Sequence, residues 1–233
     1  MARVLVVEDD VPLAELLCDQ LSHAGHQVSV ADTGTAGLEA ALRSAPDLIV
    51  LDLMLPGCSG FEVCRRLRES KTLRQPIVLI LTARTNEEDV VLGYDVGADD
   101  FVRKPFSVRE VNARVNALVR LRDRPQHAPA EKTFGNLVLA PGERKARVGA
   151  TQIELTPLEF DLLHYLAERA RQVISRDQLL LDVWGYSHSG YARTVDTHVT
   201  RLRRKLSAAG LDAGALHTVH GVGYAFEPDP LEA

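Results

Sequence analysis

Five short runs of β-branched and aliphatic residues, each followed by an amphipathic helical pattern, fill the first half of the chain and leave it few ways to fold. The runs are Arg3–Val7, Gln27–Ala31, Leu48–Asp52, Ile77–Leu81 and Asp100–Arg103. Helical patterns follow at about 11–24, 34–44, 60–69, 87–96 and 108–122. In the first of these Leu13, Leu16, Leu17, Gln20 and Leu21 keep i, i+3, i+4, i+7 spacing, with polar Gln20 inside the stripe. Parallel strands need long crossovers, and a helix is the usual one. Strands alternating with helices of this length therefore predict an α/β domain, a doubly wound five-stranded parallel sheet covered on both faces. Such sheets bind ligands beyond the carboxyl ends of their strands.

Reactive side chains stand at four of those strand ends. Glu8-Asp9-Asp10 follows the first strand, Asp52 closes the third, Thr82 follows the fourth and Lys104 the fifth. Adjacent acids at a strand end suit Mg²⁺, a hard cation that takes oxygen ligands. Asp52 can ligate the same ion, and a carboxylate can also attack phosphorus to form an acyl-phosphate. Lys104 would neutralise charge growing on phosphoryl oxygens, and the Thr82 hydroxyl could donate to one of them. Each feature alone has a duller explanation. An Asp at a strand end turns the chain, Val11-Pro12 favours Asp10 as a helix cap, and a Lys before Pro is ordinary loop chemistry. Their order on successive strand ends carries the reading.

The segment Arg122–Lys132 has two prolines and no periodicity, so it reads as a linker. Domains are expected at 1–122 and 133–229, joined by 123–132. In the second half, strand-like pieces at 134–139, 145–148 and 152–155 precede helices at about 157–167, 176–183 and 194–208. A closing hairpin, His217–Val219 and Tyr224–Glu227, turns through Gly221-Val222-Gly223. Three helices and then a hairpin is the order of a winged helix-turn-helix.

Net charge is −5 overall, and neither half is basic: 14 Lys and Arg face 18 Asp and Glu in residues 1–122, and 12 face 13 in 131–233. The local pattern says more. Arg193, Arg201, Arg203, Arg204 and Lys205 face only Asp196 in that stretch. Val195, Val199, Leu202 and Leu206 form an apolar stripe at i, i+4, i+7, i+11, which predicts a packed helix. Arg193, Thr197, Thr200 and Arg204 fall opposite, flanked by Arg201 and Arg203. An apolar back and an Arg/Thr front suit a major groove, although a solvated charged face has the same composition.

Cys18, Cys58 and Cys64 lack paired spacing, which argues against a disulfide framework or a zinc site. Cys18 is expected to be a small buried hydrophobe. No run has the length of a signal peptide core or a membrane span, so a soluble, cytoplasmic protein is expected.

Residues 1–122 resemble a CheY-like receiver domain, with its flavodoxin-like sheet. The matching stretches are Val6-Val7-Glu8-Asp9-Asp10, Leu51-Asp52-Leu53-Met54-Leu55-Pro56-Gly57, Leu81-Thr82-Ala83 and Lys104-Pro105-Phe106. The resemblance implies that Asp52 accepts a phosphoryl group from a sensor histidine kinase. It implies Mg²⁺ held by Glu8, Asp9, Asp52 and the Met54 carbonyl, with Thr82 and Lys104 on the phosphoryl oxygens. Phe101 would be the switch aromatic, at a position where Tyr is more frequent.

Residues 134–228 resemble the winged-helix effector domain of the OmpR/PhoB response regulators. Among the matching pieces are Leu155-Thr156-Pro157-Leu158-Glu159-Phe160, Val183-Trp184-Gly185, Arg193-Thr194-Val195-Asp196-Thr197-His198-Val199 and Val219-His220-Gly221-Val222-Gly223-Tyr224. The resemblance implies promoter DNA as a partner, bound at tandem repeats by a homodimer that forms on phosphorylation. Thr197, Thr200, Arg201 and Arg204 would approach bases, and Arg193, His198 and Arg203 would touch phosphates. Thr200 stands where relatives often carry a basic residue, and His220 where a wing Arg is common. Trp184–Tyr191 would be the loop that meets RNA polymerase. Asp99, Asp100, Glu110 and Arg114 fit the family's charged dimer surface, whereas Val90, Leu92 and Asn116 depart from it.

Three rival functions fit less well. A phosphatase of the dehalogenase type would need an acid two residues after Asp52, where Met54 stands. A phosphate-independent regulator would have little use for the acidic pair and Lys104. Nucleotide binding lacks a G-x-G-x-x-G after a strand. The chain is therefore expected not to be an enzyme beyond slow self-dephosphorylation.

Overall fold

The computed structural model describes residues 1–70, 75–83, 96–122, 131–186 and 192–228, without the side chains of residues 121, 122, 192 and 193. Two compact units, Met1–Arg120 and Leu121–Ala233, divide the chain. Residues 87–95 of the helix expected at 87–96, most of the linker, and residues 187–191 of the expected polymerase loop lie outside the described residues.

Unit one alternates β1 (Arg3–Val7), α1 (Val11–His23), β2 (Gln27–Ala31), α2 (Gly34–Ser44), β3 (Leu48–Asp52), α3 (Gly60–Glu69), β4 (Ile77–Thr82), β5 (Asp100–Arg103) and α4 (Val108–Arg122). The strands pair in parallel in the order β2-β1-β3-β4-β5. β1, β3 and β4 are almost wholly apolar and buried on both faces, as a doubly covered sheet requires. One face carries Leu5, Val7, Ile49, Leu51, Val78 and Ile80 against Ala41, Val63, Cys64 and Leu67 of α2 and α3. α1 packs along β1 and β2. Its buried line is Ala14, Leu17 and Leu21, while Leu16 is exposed. The expected stripe is thus shifted, and Cys18 is half-buried at its margin rather than inside.

Helix starts follow their caps. Asp10 accepts from the Leu13 amide at 3.0 Å, with Pro12 in the first turn, so the third acid of the triplet is a cap. Gly60 lets α3 begin directly against β3: a Cβ there would lie 2.2 Å from the Asp52 carbonyl oxygen.

Unit two opens with an antiparallel sheet of β6 (Lys132–Phe134), β7 (Leu137–Ala140), β8 (Lys145–Val148) and β9 (Thr151–Ile153). The single strand expected at 134–139 is two strands. Gly135, at φ 61°, and Asn136 turn the chain between Phe134 and Leu137, which pair across a two-residue hairpin. Lys132, assigned to the linker from sequence, is the first residue of β6. Next come α5 (Pro157–Ala167), β10 (Ile174–Ser175), α6 (Arg176–Leu179) continued by a π-helical turn at Leu180–Trp184, and α7 (Ala192–Ala208). β11 (Leu216–Val219) and β12 (Gly223–Phe226) close the unit as a hairpin, and β12 also pairs with β10. Trp184, Phe160, Phe226 and the expected α7 stripe of Val195, Val199, Leu202 and Leu206 fill the core. This is a winged helix-turn-helix architecture.

Candidate functional site

The sheet order of unit one reverses between β1 and β3, and a ligand crevice forms at such a switch point. Glu8 and Asp9 leave β1 there, and Asp52 ends β3 beside them. Glu8, Asp9 and Asp52 each place a carboxylate oxygen within 4.8 Å of the others, Asp9 being exposed and the other two buried. The Lys104 ammonium donates to Asp52 Oδ2 at 2.7 Å and to Glu8 Oε2 at 2.9 Å. Thr82, buried at the end of β4, accepts the Lys104 amide on its carbonyl at 2.7 Å, which fixes the loop that carries the ammonium. The Met54 amide donates to Asp52 Oδ1 at 3.1 Å. Phe101 is buried in β5, in the same core cluster as Ile80 and Ala98.

Carboxylates outnumber cations in this crevice. Burial pushes the Glu8 carboxyl up to about 7 and repulsion from Asp52 adds to the rise, against the pull of Lys104. Burial alone would lower Lys104, but its hydrogen bonds to Asp52 and Glu8 outweigh that and raise it. The ammonium therefore stays charged near neutral pH. Chemically, the crevice offers hard oxygen ligands, a carboxylate nucleophile and one fixed positive charge.

In unit two the structure separates the residues grouped by sequence. Thr200 and Arg204 are exposed on α7, and Thr197 is half-buried. Arg193 lies in the first turn of α7, its side chain outside the described set. His220 is exposed at the hairpin tip beside exposed Val222. Arg201 and His198 are buried, so neither presents the phosphate- or base-reaching surface expected of it. His198 lies edge-on to Trp184, with ring centroids 5.0 Å apart. Arg201 pairs with Glu159 of α5 at 2.9 Å. Arg203 donates to the Leu216 carbonyl at 2.6 Å and to Thr218 Oγ1 at 2.8 Å, so its guanidinium is engaged by β11. The helical wheel places Arg201 on a flank, and that flank faces α5 rather than solvent.

The residues expected to form a charged dimer surface, Asp99, Asp100, Glu110 and Arg114, have partners within the chain. Asp99 is fully buried, accepting from Arg68 at 2.6 Å and from the Val78 amide at 2.8 Å. Asp100 pairs with buried Arg114 at 2.9 Å, and Arg114 also reaches half-buried Glu110 at 3.1 Å. Asn116 meets His26 Nε2 at 3.1 Å, and Val90 and Leu92 lie outside the described residues. Sequence reasoning missed Glu159 and Arg68 as partners. The Thr156-x-x-Glu159 capping box was legible and explains half of what Glu159 does.

Comparison with known proteins agrees with this architecture. Residues 4–116 match the family described as response regulator receiver domain, and residues 150–226 the family described as transcriptional regulatory protein, C terminal. The DNA-binding response regulator MtrA of Mycolicibacterium smegmatis is 46% identical over 228 residues, covering 97% of each chain. The alkaline phosphatase synthesis transcriptional regulatory protein PhoP of Bacillus subtilis is 41% identical over 97% of this chain and 96% of its own. Among solved structures, a RitR mutant superposes with a TM-score of 0.77 at 28% identity, covering 98% of this chain and all of the other. DrrB of Thermotoga maritima, an OmpR/PhoB homolog, gives 0.52 at 31% identity over 97% of this chain and 99% of its own. With both domains matched in order and relatives aligned almost end to end, the chain belongs to the OmpR/PhoB family of two-component response regulators, a receiver followed by a transcription-regulatory domain.

Proposed function

We propose that this response regulator takes a phosphoryl group on Asp52 from a sensor histidine kinase and, once phosphorylated, dimerises and binds promoter DNA. The observation that carries the reading is Lys104 held between Glu8 and Asp52 at the switch point of the sheet. An oxygen of Asp52 would attack phosphorus while the bond from phosphorus to the donor breaks and the donor leaves with that electron pair. Lys104 and the Thr82 hydroxyl would accompany the oxygens of the transferred group. Glu8, Asp9 and Asp52 suit Mg²⁺, because three carboxylate oxygens converge where negative charge is in excess, and the Met54 carbonyl would complete the protein ligands. The ion would supply charge neutralisation to the transfer. Phe101 would report the change to the rest of the receiver.

On the DNA side, Thr200, Arg204 and Thr197 are the α7 candidates for bases, and His220 the wing candidate for the minor groove. His220 carries less positive charge there than an Arg would. Dimerisation through β5 and α4 would require Asp100 and Arg114 to exchange the partners they have within the chain. RNA polymerase is the partner expected for the loop after Trp184, and the cytoplasm the expected compartment. No helix among the described residues is long and apolar enough to cross a membrane. The test is chemical. Full-length protein with Mg²⁺ and a small acyl-phosphate donor should gain one phosphoryl group by intact mass, and Asp52→Asn should gain none. Equal labelling of the variant would overturn the assignment.

A further inference from the structure

Most of the positive charge on α7 is committed to the protein itself. Arg201 and Lys205, one helical turn apart, reach the two oxygens of a single buried carboxylate: Arg201 Nη2 is 2.9 Å from Glu159 Oε1, and Lys205 Nζ is 2.6 Å from Oε2. Glu159 cannot swing to follow them. It stands in the first turn of α5, where Oε2 also accepts from the Thr156 amide at 2.9 Å and the Glu159 amide donates back to Thr156 Oγ1. Lys205 is held a second time, by the Glu154 carbonyl at 2.9 Å.

The opposite flank is braced too. Asp196 accepts from Arg176 and from the Tyr224 hydroxyl, both at 2.6 Å, and Arg203 is bonded to β11. Thr200 and Arg204 remain outward. The apolar stripe of valines and leucines alone tolerates small rotations of a helix, since its contacts are not directional. Two charged contacts one turn apart on one fixed carboxylate do not, because rotation or sliding lengthens at least one of them. Buried ion pairs contribute little net stability, and their best-attested use is to fix register.

We infer that Glu159 is a positioning residue for sequence readout: through Arg201 and Lys205 it holds α7 in the one rotation that points Thr200 and Arg204 outward. It thereby sets how sharply the chain distinguishes one duplex sequence from another. The inference rests on the DNA-binding reading above and adds a determinant that touches no base.

The test uses the phosphorylated full-length chain, a selection from a random duplex pool, and the ratio of Kd on a scrambled duplex to Kd on the selected one. Two variants are compared with the parent: the triple Glu159→Met, Arg201→Met, Lys205→Met, and the single Lys205→Met. The triple variant should unfold within a few degrees of the parent by Trp184 fluorescence. It should keep the parent's scrambled-duplex affinity and salt slope, since neither cation would be touching phosphate. Its discrimination ratio should fall about tenfold, and that of Lys205→Met about threefold. An unchanged ratio in a folded variant would make the network purely structural, and a salt slope lowered by about one per cation removed would make the cations phosphate contacts. Either result overturns the inference. Should the triple variant not fold, Lys205→Met decides alone. A parent that enriches no sequence would instead overturn the DNA-binding reading.

Discussion

Each half of this chain buries a glutamate against a lysine, and the two arrangements have opposite balance. In the receiver crevice, Glu8 shares Lys104 with Asp52, and Asp9 stands close by, so carboxylates exceed cations. In the C-terminal unit, Glu159 faces Arg201 and Lys205, so cations exceed carboxylates. Burial would raise both glutamates. It succeeds at Glu8, which rises to about 7, whereas Arg201 and Lys205 overcome it at Glu159 and hold that carboxyl below its usual range. A buried group left electrostatically unsatisfied in a crevice is ready to receive a cation or a reacting group. A group whose charge is balanced from its own chain is a fastener. Distances between 2.6 and 2.9 Å look alike in both places, so charge stoichiometry separates them.

That distinction is most open to attack at Glu159. Replacing it by Ala leaves Arg201 buried without its counter-charge, which should cost about 3–5 kcal/mol of the C-terminal unit's stability. The chain has one tryptophan, Trp184, and it is buried in this unit, so denaturant titration followed by its fluorescence reads this unit alone. A cost below about 1 kcal/mol would mean that the pairing is ornamental.

Glu8→Gln should act with the opposite sign. In Mg²⁺-free buffer at pH 8 it should stabilise the receiver by about 1–3 kcal/mol, by removing an ionised carboxylate that the fold disfavours. Hydrogen exchange of the β1 and β3 amides measures it. The same contrast appears against pH. A carboxyl raised from 4.5 to about 7 favours folding at low pH, so receiver stability should fall as pH rises through that window. The Glu159 carboxyl is depressed, so its contribution is complete above the ordinary value of 4.5 and lost as pH falls through the folded value. Millimolar Mg²⁺ should flatten the receiver's slope, because a bound cation reverses the local electrostatics. Parallel slopes in the two units would erase the comparison.

The same asymmetry governs what could be read from sequence. The receiver's strands were legible because period and apolar runs announce a doubly covered sheet. Its four reactive features were legible because they sit at strand ends, which the topology must bring together. Asp10 as a cap was legible from Pro12. In the second unit, Phe134-Gly135-Asn136-Leu137 holds a hairpin signal that a reading by apolar runs passed over. β10 has two residues and announces nothing. The burial of Arg201, Asp99 and Arg114 was illegible for a deeper reason. A cation on a helix flank reads as solvent-facing until its partner is known, and Arg201 lies 42 positions from Glu159 and Asp99 31 positions from Arg68. Long-range pairing decides burial there, and local pattern does not carry it.

A smaller effect is expected on the outward face of α7. If Arg204 reads a base, Arg204→Ala should weaken the selected duplex about tenfold and a scrambled duplex much less, with Trp184 unfolding unchanged. Equal weakening of both duplexes would make Arg204 a phosphate contact and leave Thr200 and Thr197 to carry direct readout.

The finest test falls on Arg203, where sequence and structure assign different work to one guanidinium. By resemblance it touches phosphate. In the structure its Nε donates to the Leu216 carbonyl, its Nη2 donates to Thr218 Oγ1, and its guanidinium carbon lies 5.5 Å from the centre of the Tyr224 ring. A guanidinium with two donors already bonded to β11 ties the hairpin to α7 and has fewer donors left for the duplex. Arg203→Met keeps much of the side chain's bulk and removes those hydrogen bonds, so it should cost about 1 kcal/mol of unfolding free energy. The dependence of log Kd on log salt should keep the parent's slope, since no phosphate contact has been removed. A slope lowered by about one at unchanged stability would show that Arg203 releases β11 to grip the backbone when DNA arrives. It would then join the functional surface, and Arg201, Lys205 and Asp196 would remain among the fasteners on α7.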